Sequence, residues 1–182
     1  MASGESRSYK IIIFITPFIL PISDFCREAV AEVKNAKKIA IVATPRILKP
    51  DEQRLWTFYL RLRADALLVR SSGFLQQMLA LGGTGAFVNA TNATIPLLYG
   101  DFSLNVANIP AAKIYLSAGL SRLAPTHDLN AEQIADLVNG IGLKSSSMIE
   151  CIIHQHLPIF HTEHCVFCRF LSDGNNVPQN WT

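Results

Sequence analysis

Along this chain, short apolar runs rich in β-branched residues alternate with stretches whose apolar positions recur every three or four residues. That alternation predicts βα units around a parallel sheet. The first helix is expected from Ser23 or Asp24, either of which could cap it, to about Asn35, with Phe25, Ala29, Val30 and Val33 on its apolar face. Residues 38–43 show no polar alternation and read as a strand buried on both sides. Pro50 suits a first helical position, Asp51 and Glu52 sit where the helix dipole favours negative charge, and Leu55, Phe58, Tyr59 and Leu62 line one face of the helix that follows. Residues 66–69 predict a strand, and Phe74, Leu75, Met78 and Leu79 a helix stopped by Gly82-Gly83. Residues 84–94, rich in Gly, Ala, Asn and Thr, predict no element. A strand is expected over 95–99, a helix opened by Asn108 and Pro110 and closed by Gly119, and a short strand over 120–124. Asn130 followed three residues later by Gln133 is a capping-box arrangement, and Ile134, Leu137, Val138 and Ile141 form the stripe of that helix. The last strand is expected over 148–153, with Cys151 buried in it and inert.

The first residues carry a different pattern. Arg7 and Lys10 precede an apolar run over 11–22, which Pro17 and Pro21 interrupt and no small-x-small cleavage site follows. Three readings stay open: a buried strand with an irregular segment, a signal-like leader, or a stretch foreign to the gene. The run is too short to span a bilayer as a helix. Without a convincing secretory signal, the acceptor patterns at Asn89, Asn92 and Asn180 count as chance.

Composition narrows the class without naming a function. A hydrophobic share of 49% against 16% charged is globular rather than disordered. The formal charge of +2, scattered apart from the pair Lys37-Lys38, does not by itself argue for nucleic acid or an anionic membrane.

In parallel α/β folds, ligands bind beyond the carboxyl ends of the strands. The polar residues expected there are Thr44-Pro45-Arg46, Arg70-Ser71-Ser72-Gly73, Asp101-Phe102-Ser103-Leu104-Asn105, Pro125-Thr126-His127-Asp128 and His154-Gln155-His156. If the strands lie side by side, these segments converge on one rim, where Arg46 and Arg70 could grip an anion bidentately. Arg46, Arg70, Asp101 and Asn105 are therefore the candidate substrate-binding residues, and His154 and His156 the candidate catalytic ones. The densest chemistry is terminal: His154, His156, His161, His164, Cys165 and Cys168 fall in fifteen residues. Imidazole and thiolate are both borderline-soft metal ligands, so Cys165, Cys168, His161 and His164 are the candidate metal ligands. Their spacing is not that of a helical zinc protease, and no Gly-x-Ser-x-Gly elbow exists. Cys165-x-x-Cys168 offers two thiolates where a tetrahedral zinc or an iron–sulfur cluster needs about four ligands.

Several phrases in order resemble the collagenase-like peptidase family U-thirty-two, and most of all its ribosomal RNA cytidine hydroxylase-type members from bacteria and plants. They are Ala43-Thr44-Pro45-Arg46-Ile47 with Lys49-Pro50, Leu67-Leu68-Val69-Arg70-Ser71, Gly100-Asp101-Phe102-Ser103-Leu104-Asn105, Gly119-Leu120-Ser121-Arg122-Leu123, and His154-Gln155-His156 through Cys168. The resemblance implies a partial parallel (β/α) barrel, about the second half of a TIM-like barrel, over residues 23–174. Residues 1–22 stand unmatched before it, and 175–182 form a divergent tail. It also implies an iron–sulfur cluster, to which Cys165 and the nearby Cys168 correspond, and hydroxylation of ribosomal or transfer RNA. An inherited proteolytic label and a non-catalytic truncated product are the alternatives. After Asp173-Gly174 the family continues to two further cysteines, whereas this sequence reads Asn175 to Thr182 without them. The cluster site is therefore expected to be incomplete and the chain alone inactive. Exposed sheet edges would favour self-association. The expected location is cytoplasmic or organellar, in a plastid or mitochondrion, with no membrane partner and no secretion.

Overall fold

The computed structural model describes residues 10–14, 22–49, 52 and 55–156. The chain divides into two compact units, Met1–Ile152 and Ile153–Thr182. Of the second, only residues 153–156 are described, and they are exposed and without regular structure.

The first unit is a mixed α/β structure with a parallel sheet flanked by helices. Its strands are β1 (Lys10–Phe14), β2 (Ile39–Ala43), β3 (Ala66–Val69), β4 (Phe87–Val88), β5 (Ala93–Thr94), β6 (Leu97–Gly100) and β7 (Arg122–Leu123). Its helices are α1 (Ile22–Asn35), α2 (Leu55–Arg61), α3 (Ser72–Ala80), α4 (Ile109–Ser117), α5 (Ala131–Ile141) and the single turn α6 (Leu143–Ser146). The main sheet has five strands in the order β1-β2-β3-β6-β7, every neighbouring pair parallel. β4 and β5 form a separate antiparallel pair.

Register places alternate strand residues on two faces. Ala40, Val42, Leu67, Val69, Leu98 and Leu123 pack in one cluster with Cys26 and Val30 of α1, Tyr59 and Leu60 of α2, Phe74 and Met78 of α3, Ala112 of α4, and Leu137 and Ile141 of α5. Ile41, Ala43, Ala66, Leu68 and Tyr99 form a second cluster made of strand residues alone. The apolar, unalternating runs read from the sequence are thus strands with both faces buried, because the burial of a parallel sheet leaves no polar side.

Local chemistry fixes the helix ends. The Asn108 side chain accepts from the Ala111 N–H at 2.9 Å, and Ser71 accepts from Phe74. The capping box at α5 is complete, with Asn130 and Gln133 each accepting from the other's backbone at 2.9 Å. Gly82, Gly83 and Gly119 take positive φ where the preceding helices stop.

Four expectations are corrected. α1 already includes Ile22, so Asp24 lies in its first turn and serves the dipole rather than the cap. The strand expected over 148–153 contracts to one parallel bridge between Leu123 and Ile149, because Met148 N–H bonds back to Ser145 and keeps the segment in the turn after α6. Cys151 follows that bridge and is exposed, not buried in a strand. Residues 84–94 do have structure: β4, a 3-10 turn over Asn89–Thr91 and β5. The apolar run after Lys10 supplies β1, paired in register with β2. Pro17, Pro21, Pro50 and Asp51 lie outside the described residues. None of the described helices is long and apolar enough to cross a membrane.

Candidate functional site at the carboxyl edge of the sheet

Because β2, β3 and β6 are parallel neighbours, the residues that follow them emerge side by side. Thr44, fully buried, joins the first two: its hydroxyl donates to the Leu68 carbonyl and accepts the Arg70 N–H, both at 3.1 Å. Asp101 N–H donates to the Val69 carbonyl at 2.9 Å and so continues the ladder from β3 to β6. This backbone frame sets Arg46, Arg70 and Asp101 at one edge.

Arg70 Nε donates to Asp101 Oδ2 at 3.3 Å, with the carboxylate side chain only 6% exposed. The Ser103 hydroxyl lies 2.8 Å from the same oxygen and 2.9 Å from the Arg70 carbonyl, which holds the start of the 3-10 turn Phe102–Leu104 against β3. The Arg46 guanidinium stands 5.1 Å above the Phe102 ring, a cation–π distance. The His127 ring lies 4.0 Å from Phe102 on a tilt of 38°. Arg46 Nε is buried and has no hydrogen-bond partner. Loss of water pushes the Arg46 pKa below its ordinary value, the charge of Arg70 adds to that, and Asp101 opposes it. Arg46 thus stands within reach of the charges of Arg70 and Asp101, with a donor held out of water and left without an acceptor.

The structure brings Arg46, Arg70 and Asp101 together. Asn105 ends the 3-10 turn at positive φ and is exposed. His154 and His156 are exposed and belong to the second unit. His161, His164, Cys165 and Cys168 lie outside the described residues. Among the described residues no three His, Cys, Asp or Glu side chains are grouped as metal ligands. Cys26 is buried in the helix-facing core, and burial pushes its thiol pKa up, which makes it a poor ligand or nucleophile.

Sequence reasoning placed Phe102, Ser103 and His127 in post-strand loops without giving them roles. The signal that could have singled them out was position: Phe102 and Ser103 follow directly on the strand-end residue Asp101. Comparison with protein-family models, curated proteins and solved structures returns no match.

Proposed function

We propose that the chain is part of a (β/α) barrel domain of the collagenase-like peptidase type, working in iron–sulfur-dependent hydroxylation of RNA, and that its carboxyl edge seats an anionic group. Strand order supports the barrel. Five parallel strands follow one another across the sheet without reversal, whereas a doubly wound fold reverses at a switch point. Residues of α1 to α5 belong to one hydrophobic cluster with the strand residues of a single sheet face, as the outer helices of a barrel would. The strand residues on the other face would then fill the barrel interior.

The observation that carries the anion seat is the Arg46 Nε donor, buried without an acceptor beside the Arg70–Asp101 pair. A buried unsatisfied donor is unfavourable, and a carboxylate or phosphate oxygen would satisfy it with a charge-assisted bond. Arg46 and Arg70 would grip such a ligand, and Asp101 would keep Arg70 aimed.

Cys165 and Cys168, with His161 or His164, are the residues proposed to hold the cluster, whose contribution would be redox chemistry. All four lie outside the described residues.

The test is anaerobic expression of the full chain with iron and sulfide analysis, beside calorimetric titration with phosphate and acetate. A brown protein that loses its iron on Cys165→Ser supports the hydroxylase reading, a colourless and inactive one leaves the truncated product, and an anion affinity that falls at least about tenfold on Arg46→Ala is the result expected of the seat, tenfold corresponding to about 1.4 kcal/mol, near the lower end for a charge-assisted hydrogen bond. A colourless protein that hydrolyses gelatin would overturn the hydroxylase reading in favour of proteolysis. A wild type that binds neither anion would remove the seat.

A further inference from the structure

The opposite end of the sheet carries a second feature, which the sequence leaves dispersed. Five basic residues, Lys34 and Arg61 at the ends of α1 and α2 and Lys37, Lys38 and Arg63 in the turns that follow, stand where the chain leads into β2 and β3. Those strands are neighbours, and the turns meet: Lys34 Nζ donates to the Arg63 carbonyl at 2.8 Å and pairs with Asp65 at 3.1 Å. Arg61 and Arg63 reach across to the hairpin before β6, donating to the carbonyls of Ala90 at 3.3 Å and Asn92 at 3.4 Å. Those acceptors are neutral, so they orient the guanidinium groups without cancelling their charge. The carboxylates of this region are Asp65, already held by Lys34 and by the Ala40 N–H, and Glu32 near the end of α1.

Two details separate this edge from an ordinary solvated face. Lys37 and Arg63 both take positive φ, 55° and 52°, at the helix-to-strand turns where α4 uses Gly119. A basic side chain thus stands twice where glycine would be easier. Beside them the hairpin exposes Phe87, at 57%, together with the amides Asn89 and Asn92. Cations spaced along an edge with an exposed ring and amides match the needs of a single nucleic-acid strand: phosphate neutralisation, base stacking, and donor–acceptor groups for the 2′-hydroxyl. A membrane surface would instead ask for a continuous apolar face beneath the charges.

We propose that the amino edge of the sheet, formed by the α1–β2 turn, the α2–β3 turn and the β4–β5 hairpin, is a docking surface for single-stranded RNA. It lies at the end of the strands away from Arg46 and uses none of the residues of the anion seat. Cation sites at both ends would let a strand be anchored at one and presented at the other.

The experiment is fluorescence anisotropy of the full-length protein with a labelled single-stranded RNA oligonucleotide over a salt series. Vesicles of phosphatidylserine and phosphatidylcholine form a parallel arm. The triple variant Lys37→Glu, Arg61→Glu, Arg63→Glu should bind RNA at least about tenfold more weakly and flatten the log–log salt slope by about two, the value for three lost phosphate contacts on a single strand. Because Arg61 and Arg63 also hold the hairpin, Lys37→Glu and Phe87→Ala are read separately. Each should weaken binding several-fold with an unchanged melting temperature. Lys113→Glu, the same charge change on exposed α4, is the control. Variants no weaker than Lys113→Glu, a wild type that binds no RNA, or charge-dependent binding to vesicles but not to RNA would each overturn the proposal. Anion titration at the carboxyl edge is a separate readout, so the two ideas fail independently.

Discussion

Thr44 shows how much one side chain can carry at a strand end. Its single buried hydroxyl donates to the Leu68 carbonyl and accepts the Arg70 N–H. Thr44→Val keeps the shape and removes both bonds. The Leu68 carbonyl keeps its bond from the Thr44 N–H, so the loss is that of leaving the Arg70 N–H unmatched, about 1–3 kcal/mol, and urea unfolding would measure it. The same substitution should loosen Arg70 and so weaken anion binding beyond any loss of stability. Gly100 makes the opposite kind of demand. A Cβ there would meet Leu123 Cδ1 at 2.6 Å and Leu120 Cδ1 at 2.7 Å, in the interior behind Asp101. Gly100→Ala should therefore cost about 1–3 kcal/mol by overpacking, visible as a lower denaturation midpoint. At this scale the sequence was informative about Arg46 and Arg70, because they lie within three residues of strand ends. It was silent on the Arg46–Phe102–His127 contact, since that depends on neighbouring loops meeting across the edge.

Among the elements, the most legible were those whose chemistry is local. The capping box at Asn130, the cap at Asn108 and the unalternating runs of β2 and β3 act within a few residues, so sequence suffices. The least legible were short elements defined by partners. β4 and β5 have two residues each and exist through pairing with one another, while residues 148–153 needed a continuous ladder that the turn at Met148 prevents. The helix-facing core also has a titration consequence. Burial pushes the Cys26 thiol above its ordinary 9.0; burial first, and then the charge of Cys26, push Tyr59 upward as well. A group whose pKa is raised by folding contributes stability below its unfolded value and loses it as pH climbs towards the folded value. Both groups are neutral acids, so the melting temperature should hold near neutrality and fall between about pH 8 and 11. Tyr59→Phe should lose less over that interval, and a pH series of thermal melts would show it. An equal fall in both proteins would remove Tyr59 from the account.

For the whole first unit, the sheet ranks the strands by protection. β2 and β3 have partners on both sides and side chains buried on both faces, whereas β7 has two residues and a single bridge beyond it. Amide hydrogen exchange should be slowest in β2 and β3, intermediate in β6 and fastest in β7. Exchange as slow in Arg122 and Leu123 as in Val42 and Leu67 would contradict that ranking. The parallel α/β class was readable because each apolar run was followed by a helical period. The single cluster that joins all five longer helices to one face of the strands was not, because periodicity does not tell to which side a chain returns.

Successive strands sit next to one another, and that order has a kinetic corollary. Cross-strand bonds at the edges join residues of similar separation along the chain: 24 for Thr44 with Leu68, 25 for Ala40 with Asp65 and 31 for Arg70 with Asp101. Every closure then costs nearly the same entropy, and none must wait for a distant end to arrive. Assembly can advance unit by unit from whichever strand pair forms first, at a pace between that of helical bundles and that of β-sandwiches.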